Sequence, residues 1–431
     1  MSTRMHWKAT PANPAIPMRP NQSNTIELTS AYARVVALLN DARDIVLSRV
    51  EAMSPGWAKA RGWQAYLLGI SEADLERADT EGIAAWFLGD PACPTSLRQL
   101  AERMAEVTSL VPVLPGQPPA VDFPFMNTRK RGQVAAILRV LREVFPAPSE
   151  IVDVGAGRGQ LTTQASSALS VTAIGLERDP ERVAVATALA RDLPVRFVTA
   201  DVLSPTENPL LSMPPDPRRL LMALHGCGEL ADALVTAAVA TRAAVLLLAC
   251  CPQKIRGQQR MALMPGGPAW PREILGLANV MARTQGIEGD LKQALATKKS
   301  RLALRTMLAA RGTAIPAGEE MRGVNRRKAN AGFAVFAQAV CQVRGFRAPS
   351  PHEIAAADEQ AHAHYLAQRR LSLPRSMLGR SLEIFLALDR ALYLQRHGYD
   401  TCVVELFPAA YSPRNIAVFG VPGIAGDRSG N

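Results

Sequence analysis

Residues 152–162 read VDVGAGRGQLT. An apolar run enters the stretch, and three glycines, at 155, 157 and 159, follow it directly before residues that favour a helix. That order predicts a buried strand, a glycine turn and a helix start. Gly155 allows a sharp turn, while Gly157 and Gly159 let the backbone approach a bound ligand with no Cβ in the way. A dinucleotide site prefers G-x-G-x-x-G. Here position 160 is Gln160, and the third glycine comes one residue early. Asp153, just before the turn, is a poor neighbour for a pyrophosphate and a good one for an ammonium group.

The same texture continues on either side. KRGQVAAILRVLREVF (130–145) reads as a helix, and VTAIGLERD (171–179), PVRFVTAD (194–201), LLMALHG (220–226) and AAVLLLACC (243–251) read as further strands. Helical stretches lie between most of them. Short apolar strands alternating with helices imply an α/β fold with a parallel sheet covered on both faces. The alternation stops after Cys251 and returns late, with a helix in RSLEIFLALDRALYLQRHG (380–398) stopped by Gly398. The strands TCVVELF (401–407) and NIAVFGV (415–421) follow, joined by a tight polar connection.

These changes set the expected domains. Residues 1–27 are a tail with recurring prolines, suited to a solvated polyproline-like chain, and 28–122 are a helical domain closed by the Pro-rich VPVLPGQPPAVDFP. Residues 123–255 begin the α/β domain, 256–374 are a basic helical insertion, 375–424 finish the sheet, and 425–431 are a tail. Within the insertion, DLKQALATKKSRLALRTMLAARG predicts a long helix capped by Asp290 and closed by Gly312. No internal repeat is visible.

Acids at successive strand ends carry the ligand expectation. Glu177 ends the second strand 18 residues after Gly159, where a carboxylate would hold both ribose hydroxyls. Asp201 ends the third, where its carboxylate or its loop amides could read an adenine edge. Ligands bind at these ends in open parallel sheets. A cationic ligand with an amino acid at one end and adenosine at the other is S-adenosylmethionine. The expected cofactor contacts are therefore Asp153, Gly155, Gly157, Gly159, Glu177 and Asp201.

Composition bounds the rest. Of 431 residues 48% are hydrophobic and 20% charged, a globular balance, and no apolar run approaches the length of a membrane span. The first residues lack the apolar core of a signal peptide, although their lack of acids keeps an organelle-targeting reading open. Six cysteines, two of them adjacent, fit a reducing cytoplasm rather than a disulfide framework, and without a C-x-x-C pair no metal site is expected. The net charge is +11, and residues 254–330 alone hold 15 Lys or Arg against 5 Asp or Glu. A localised basic field suits a polyphosphate partner, because each neutralised phosphate releases counterions. It also suits an ordinary solvated helix face.

At this point the chain resembles the class I methyltransferases, whose seven-stranded Rossmann-like sheet ends in an antiparallel hairpin. MNTRKRGQV, VDVGAGRGQLT, LHGCGELADAL and LLLACC look like the group of methyltransferase-like protein twenty-five. The tail strengthens this, since that group pairs an L-D-R-x-x-Y helix, here in FLALDRALYLQRHG, with a closing S-P-R-N strand, here in LFPAAYSPRNIAVFG. The junction MRGVNRRKANAGFAVFAQAV is similar too, so that the resemblance spans most of residues 123–424 with a faint echo in the helical front. HGCGELAD also matches the H-x-C-G-x-x-x-D signature of acceptor-stem tRNA 2′-O-methyltransferases, through His225, Cys227, Gly228 and Asp232. Cys250 and Cys251 match the double cysteine that follows it. Pro252 and Gln253 then depart from those relatives, which usually place Tyr or His there, and their separate zinc-binding modules have no counterpart.

The resemblance implies a methyltransferase, with folded RNA (tRNA or rRNA) as leading substrate and a ribosomal or translation-associated protein as the alternative. A non-catalytic RNA-binding protein retaining S-adenosylmethionine is the remaining reading. His225 closes the fourth strand, and no Asn- or Asp-Pro-Pro-aromatic motif of the adenine N-methyltransferases stands there. A neutral imidazole could take the proton of a 2′-hydroxyl, with Asp232 orienting it. His225 could equally shape the pocket wall, or bind a metal, which adjacent Cys250 and Cys251 make awkward because both must then face one ion. The two cysteines otherwise read as small packing residues. Expected substrate contacts are Arg129, Lys130 and Lys254 near the sheet and Lys298, Lys299, Arg301 and Arg305 on an insertion that should overhang the active-site edge. Trp270 is the lone aromatic of residues 254–330, so phosphate tracking is expected rather than base stacking. No membrane partner is expected, and the oligomeric state is left open.

Overall fold

The computed structural model describes residues 22–48, 54–113, 127–145, 147–204, 206, 208–279, 288–316 and 318–423. Its main sheet has seven strands in the order β3-β2-β1-β4-β5-β9-β8. They are β1 Glu150–Val154, β2 Ala173–Glu177, β3 Val195–Thr199, β4 Arg219–Cys227, β5 Ala244–Cys250, β8 Tyr399–Glu405 and β9 Ile416–Pro422. The first five pair in parallel, and β9 inserts antiparallel between β5 and β8. This is the Rossmann-like order of the class I methyltransferase fold. A short pair, β6 Gln259–Arg260 with β7 Trp270–Pro271, stands apart. Among the described residues no helix is long and apolar enough to cross a membrane.

The central strands need cover on both faces, and the sequence supplies it. β5 is almost wholly buried, and Leu220, Leu221, Val245 and Leu247 are fully so. Each such side chain removed from water contributes about 1.5–3 kcal/mol. The helix Thr128–Val144 lays Val134, Ile137, Leu138 and Leu141 on one face of the sheet. Its start is fixed by Asn127, whose side chain accepts from the Lys130 amide at 2.9 Å, a cap worth about 1 kcal/mol. Gly132 lets this helix meet the Tyr411 ring, since a Cβ there would lie 2.6 Å from it. The β8–β9 connection is longer than its letters suggest, running over residues 406–415, and the Leu406 amide closes it on the Asn415 carbonyl at 2.8 Å.

Contacts divide the chain into two units, the first holding the sheet (within residues 1–37, 107–279 and 381–431) and the second wholly helical in its described part (within 38–106 and 280–380). The front helices and the insertion thus fold together instead of forming separate domains, and residues 256–279 stay with the sheet. Side-chain bonds explain the grouping. From the helix Pro351–Leu371, Arg370 Nε donates to the Ile70 carbonyl at 2.6 Å and Arg369 pairs with Asp79. Arg375 Nε donates to the Val46 carbonyl at 3.1 Å. Two local readings change as well. The expected tail ends earlier, because the helix Gln22–Asp41 includes residues 22–27, while residues 1–21 lie outside the described part. Asp290 lies within the helix Glu288–Ala310 rather than capping it. Gly312 does take a left-handed φ of +72° just past that helix.

Candidate active site at the strand ends

The carboxyl ends of β1 and β2 hold the glycine turn. Gly155, Gly157 and Gly159 all have positive φ, at +77°, +60° and +75°. The turn hangs on β2, where Gly155 and Ala156 donate their amides to the Leu176 carbonyl at 2.8 and 3.1 Å. The glycines divide the work. A Cβ on Gly157 would meet nothing within 4 Å, leaving that face open to a ligand, whereas one on Gly159 would lie 2.3 Å from the Phe197 ring. Gly159 therefore also serves the packing of the turn against β3.

Asp153 is 2% exposed, and its Oδ2 accepts from Thr162 Oγ1 at 2.6 Å. Among the described residues Oδ1 has no donor. Burial drives its pKa up, the Thr162 bond opposes and Glu177 adds repulsion, so that the carboxyl is pushed up to about 6. Such a group gains most from a cation brought beside it. Glu177 accepts from the Gly157 amide at 3.0 Å and from the Asp179 amide at 3.2 Å, which fixes its carboxylate at the strand end with lone pairs to spare. Asp201 is more exposed, accepts from the Leu203 amide at 3.0 Å, and pairs with Arg256 at 3.3 Å. Its carboxylate is thus committed to holding the β3 loop against residues that follow β5.

Across the edge, β4 carries a register irregularity between Leu224 and Gly226. His225 is the residue at the bulge, with a φ of +67° that side chains other than glycine rarely adopt. Strain of this kind costs about 1–3 kcal/mol and collects at functional sites. Although the ring reaches solvent, the protein on its flanks strips hydration, and Arg414 and Lys130 add positive charge. All three hold its pKa below 6.5, so the imidazole is neutral near pH 7. Lys130 bonds the Gln160 side chain, and partial desolvation with Arg158 nearby lowers its own pKa. Arg414, which the sequence reading missed, sits in the S-P-R-N segment. Asn415 anchors that segment by donating Nδ2 to the Phe407 carbonyl at 2.9 Å.

Asp232 does not orient His225. Its carboxylate accepts from Arg260 Nε at 2.8 Å and Nη2 at 2.9 Å, and from Arg390 Nε at 2.8 Å. Arg260 Nη2 also reaches Asp389 at 2.8 Å, and Asp389 in turn takes the amides of Leu263 and Met264. Burial alone would raise the Asp232 pKa, but the two guanidiniums outweigh it and hold it low. The D of the H-x-C-G-x-x-x-D signature and the D-R of the late helix thus form one buried ionic network. Its role is to lock the helix Glu229–Thr241 to the helix Gly379–Arg396.

Three thiols complete this edge. Cys227 and Cys250 are register partners on β4 and β5, with sulfurs 2.9 Å apart, and Cys251 joins them. Lys254 Nζ stands 3.9 Å from the Cys227 sulfur and Arg414 Nη1 3.4 Å from that of Cys251. The Cys250 bond, with Lys254 and Cys251 assisting against burial, lowers the Cys227 pKa to about 6. A cavity lined by Cys250, Cys251, Pro252, Ala278, Asn279 and Arg414 opens beside them.

The other expected substrate contacts divide. Arg129 and Lys254 are exposed. In the helical unit, Lys299 pairs with Asp358 at 2.8 Å, and Arg301 and Arg305 both pair at 2.6 Å with Glu320, which is fully buried. Lys298 is exposed, and its charge acts on Asp79, helping to lower that carboxyl's pKa against burial. Arg301 and Arg305 neutralise a buried acid, so they are structural before they are anything else. Trp270 is fully buried and offers no stacking platform.

Residues 129–258 match a family model described as "Methyltransferase domain". Partial likeness extends to the TehB-like SAM-dependent methyltransferase of Corynebacterium glutamicum, at 14% identity and TM-score 0.22, over 36% of this chain and 72% of that one. The plantazolicin methyltransferase BpumL, solved with SAH, is similar at 15% identity and TM-score 0.21, over 41% and 62%. A putative protein-L-isoaspartate O-methyltransferase from Plasmodium falciparum, solved with S-adenosyl-L-homocysteine, gives 16%, 0.23, 41% and 83%. Such scores carry nothing about substrate. The family match marks a methyltransferase domain over residues 129–258, and the sheet order is that of the class I fold, whose methyltransferases use S-adenosylmethionine. The chain's own residues fit that cofactor: a buried carboxylate with an unused oxygen for an ammonium, a fixed carboxylate for a diol, and an open glycine face between them.

Proposed function

We propose that the chain is an S-adenosylmethionine-dependent methyltransferase that modifies a hydroxyl or similarly weak nucleophile of a folded RNA. When bound, the cofactor supplies an electrophilic methyl group. Asp153 and Glu177 would hold its two polar ends, and the Gly157 backbone would lie along it. His225 takes the acceptor's proton as the acceptor attacks; a neutral imidazole is the required form, and Arg414 and Lys130 favour it. Orientation supplies most of the remaining rate, since methyl transfer asks chiefly for in-line approach. The observation that carries this reading is the strained, uncharged His225 on the same strand-end edge as the Asp153–Glu177 cradle.

RNA is supported by the cations beside His225, namely Lys130 and Arg414, by Arg129 and Lys254 and by the net charge of +11. The ion pairs of Lys299, Arg301 and Arg305 favour the second reading, a ribosomal or translation-associated protein as acceptor, because they weaken the basic field that composition suggests. The test is transfer of labelled methyl from S-adenosylmethionine to RNA and protein fractions of cells lacking this chain. Label in the RNA fraction is expected, at a nucleoside missing from the deficient cells. Label confined to protein would give the substrate to the second reading.

A further inference from the structure

Neither cofactor binding nor proton transfer uses the three thiols at the ends of β4 and β5. Neighbouring residues of an extended strand face opposite ways, so Cys250 and Cys251 ought to diverge. They converge because Cys251 leaves the strand with a φ of +33°, in a region that disfavours any side chain. All three sulfurs then lie within 4.8 Å of one another. The turn that does this is closed by backbone bonds, from the Lys254 amide to the Cys251 carbonyl at 3.0 Å and from the Glu229 amide to the Lys254 carbonyl at 3.2 Å. It closes tightly, since a Cβ on Gly228 would lie 2.1 Å from the Lys254 carbonyl oxygen.

We propose that Cys227, Cys250 and Cys251 bind one thiophilic metal ion of the Zn²⁺ class through three thiolates. Zinc–sulfur bonds of about 2.3 Å in tetrahedral geometry set sulfurs roughly 3.8 Å apart. Cys227 and Cys250, now 2.9 Å apart, need to separate by less than about 1 Å, a rotamer adjustment. Three thiolates and a divalent ion leave one negative charge, and the Lys254 ammonium and Arg414 guanidinium stand within reach of two of the sulfurs to offset it. The bordering cavity gives a path to the ion. Three protein ligands with a fourth position open is the composition of zinc sites that meet a substrate, not of purely structural ones. The inference is independent of which molecule accepts the methyl group.

The full-length protein, reduced and stripped with a chelator, is titrated with Zn²⁺ alone and with Co²⁺ alone. One equivalent of each should bind, with thiolate-to-cobalt absorption in the near ultraviolet. Zinc should shield Cys227, Cys250 and Cys251 from alkylation and leave the half-buried Cys402 as reactive as before. That comparison needs no variant. Cys227→Ser and Cys251→Ser should each weaken zinc binding roughly 100-fold, and Cys402→Ser should not. Alkylation unchanged by zinc would overturn the proposal. So would equal zinc affinity in Cys227→Ser, or a Cys227–Cys250 disulfide recovered from protein kept anaerobic throughout.

Discussion

Where β1 and β2 end, the chain offers carboxylates, backbone amides and glycines; where β4 and β5 end, it offers an imidazole, three thiols and cations. The first half obtains its geometry cheaply. Its positive-φ residues are glycines, which adopt such angles at no steric cost. The second half places side chains, His225 and Cys251, in the same left-handed region and holds them there against strain. At Cys251 the turn is closed by backbone bonds, from the Lys254 amide to the Cys251 carbonyl and from the Glu229 amide to the Lys254 carbonyl. A binding half can be built from relaxed backbone, whereas a reacting half needs particular side chains at angles the backbone resists.

The sharpest way to separate the halves is His225. His225→Ala should lower turnover by roughly 10²–10⁴ while cofactor affinity in calorimetry stays near wild type. His225→Gly should lose the same activity yet unfold at equal or higher denaturant, since glycine relieves the φ of +67°. Unchanged turnover in both would return His225 to the pocket wall. Next comes the network. Asp232→Ala leaves two buried guanidiniums short of a partner and should cost about 3–5 kcal/mol of stability in urea unfolding. A stable Asp232→Ala protein with lost turnover would instead reinstate Asp232 as the partner of His225.

The first half was legible in the sequence because its chemistry is local. Strand, glycines and acids succeed one another at fixed spacing, and VDVGAGRGQLT with Glu177 announces them. The second half was legible only in part. His225 and the cysteines could be seen, but Asp232 is engaged by Arg260 and by Arg390, 158 residues away in sequence. Nothing in its spacing distinguishes that from an orienting role. Arg414 was hidden likewise, a basic letter in a connection whose path depends on Asn415. One signal was available: L-D-R in the late helix is a charged pair within an otherwise apolar run, and buried charge demands a partner elsewhere. The merger of front helices and insertion left no local trace either, since it rests on contacts such as Arg370 to Ile70.

On the cofactor side the effects should be smaller and pH-linked. Asp153→Ala and Glu177→Ala should each weaken S-adenosylmethionine binding by about 1–3 kcal/mol. Because the Asp153 pKa is raised to about 6 from the ordinary 3.8, the folded protein holds a proton there that the unfolded chain releases. Its contribution to stability is therefore favourable at low pH and lost as pH rises through about 6. An ammonium ligand needs the ionised form, so affinity should run the other way, falling up to about tenfold per pH unit below 6 and levelling above it. Asp153→Asn should flatten that dependence. An equally steep profile in the variant would assign the proton to another group.

The smallest effect tests whether the helical unit adds to the cation-rich half. Arg301→Gln or Arg305→Gln would strip a buried Glu320 of a partner, so weaker RNA binding there would be confounded by loss of fold. Lys292, Arg327 and Lys328 are exposed, and changing all three to Gln should leave unfolding within experimental error. If they meet phosphates, the log–log slope of RNA affinity against salt should flatten by about 0.7–0.9 for each phosphate no longer neutralised. Affinity at moderate salt should drop by roughly 0.2–1 kcal/mol per residue, with little dependence on sequence. Lys130→Gln beside His225 serves as the contrast, and should lower turnover as well as the slope. If the three exposed changes leave the slope untouched while Lys130→Gln flattens it, phosphate recognition belongs to the strand ends alone.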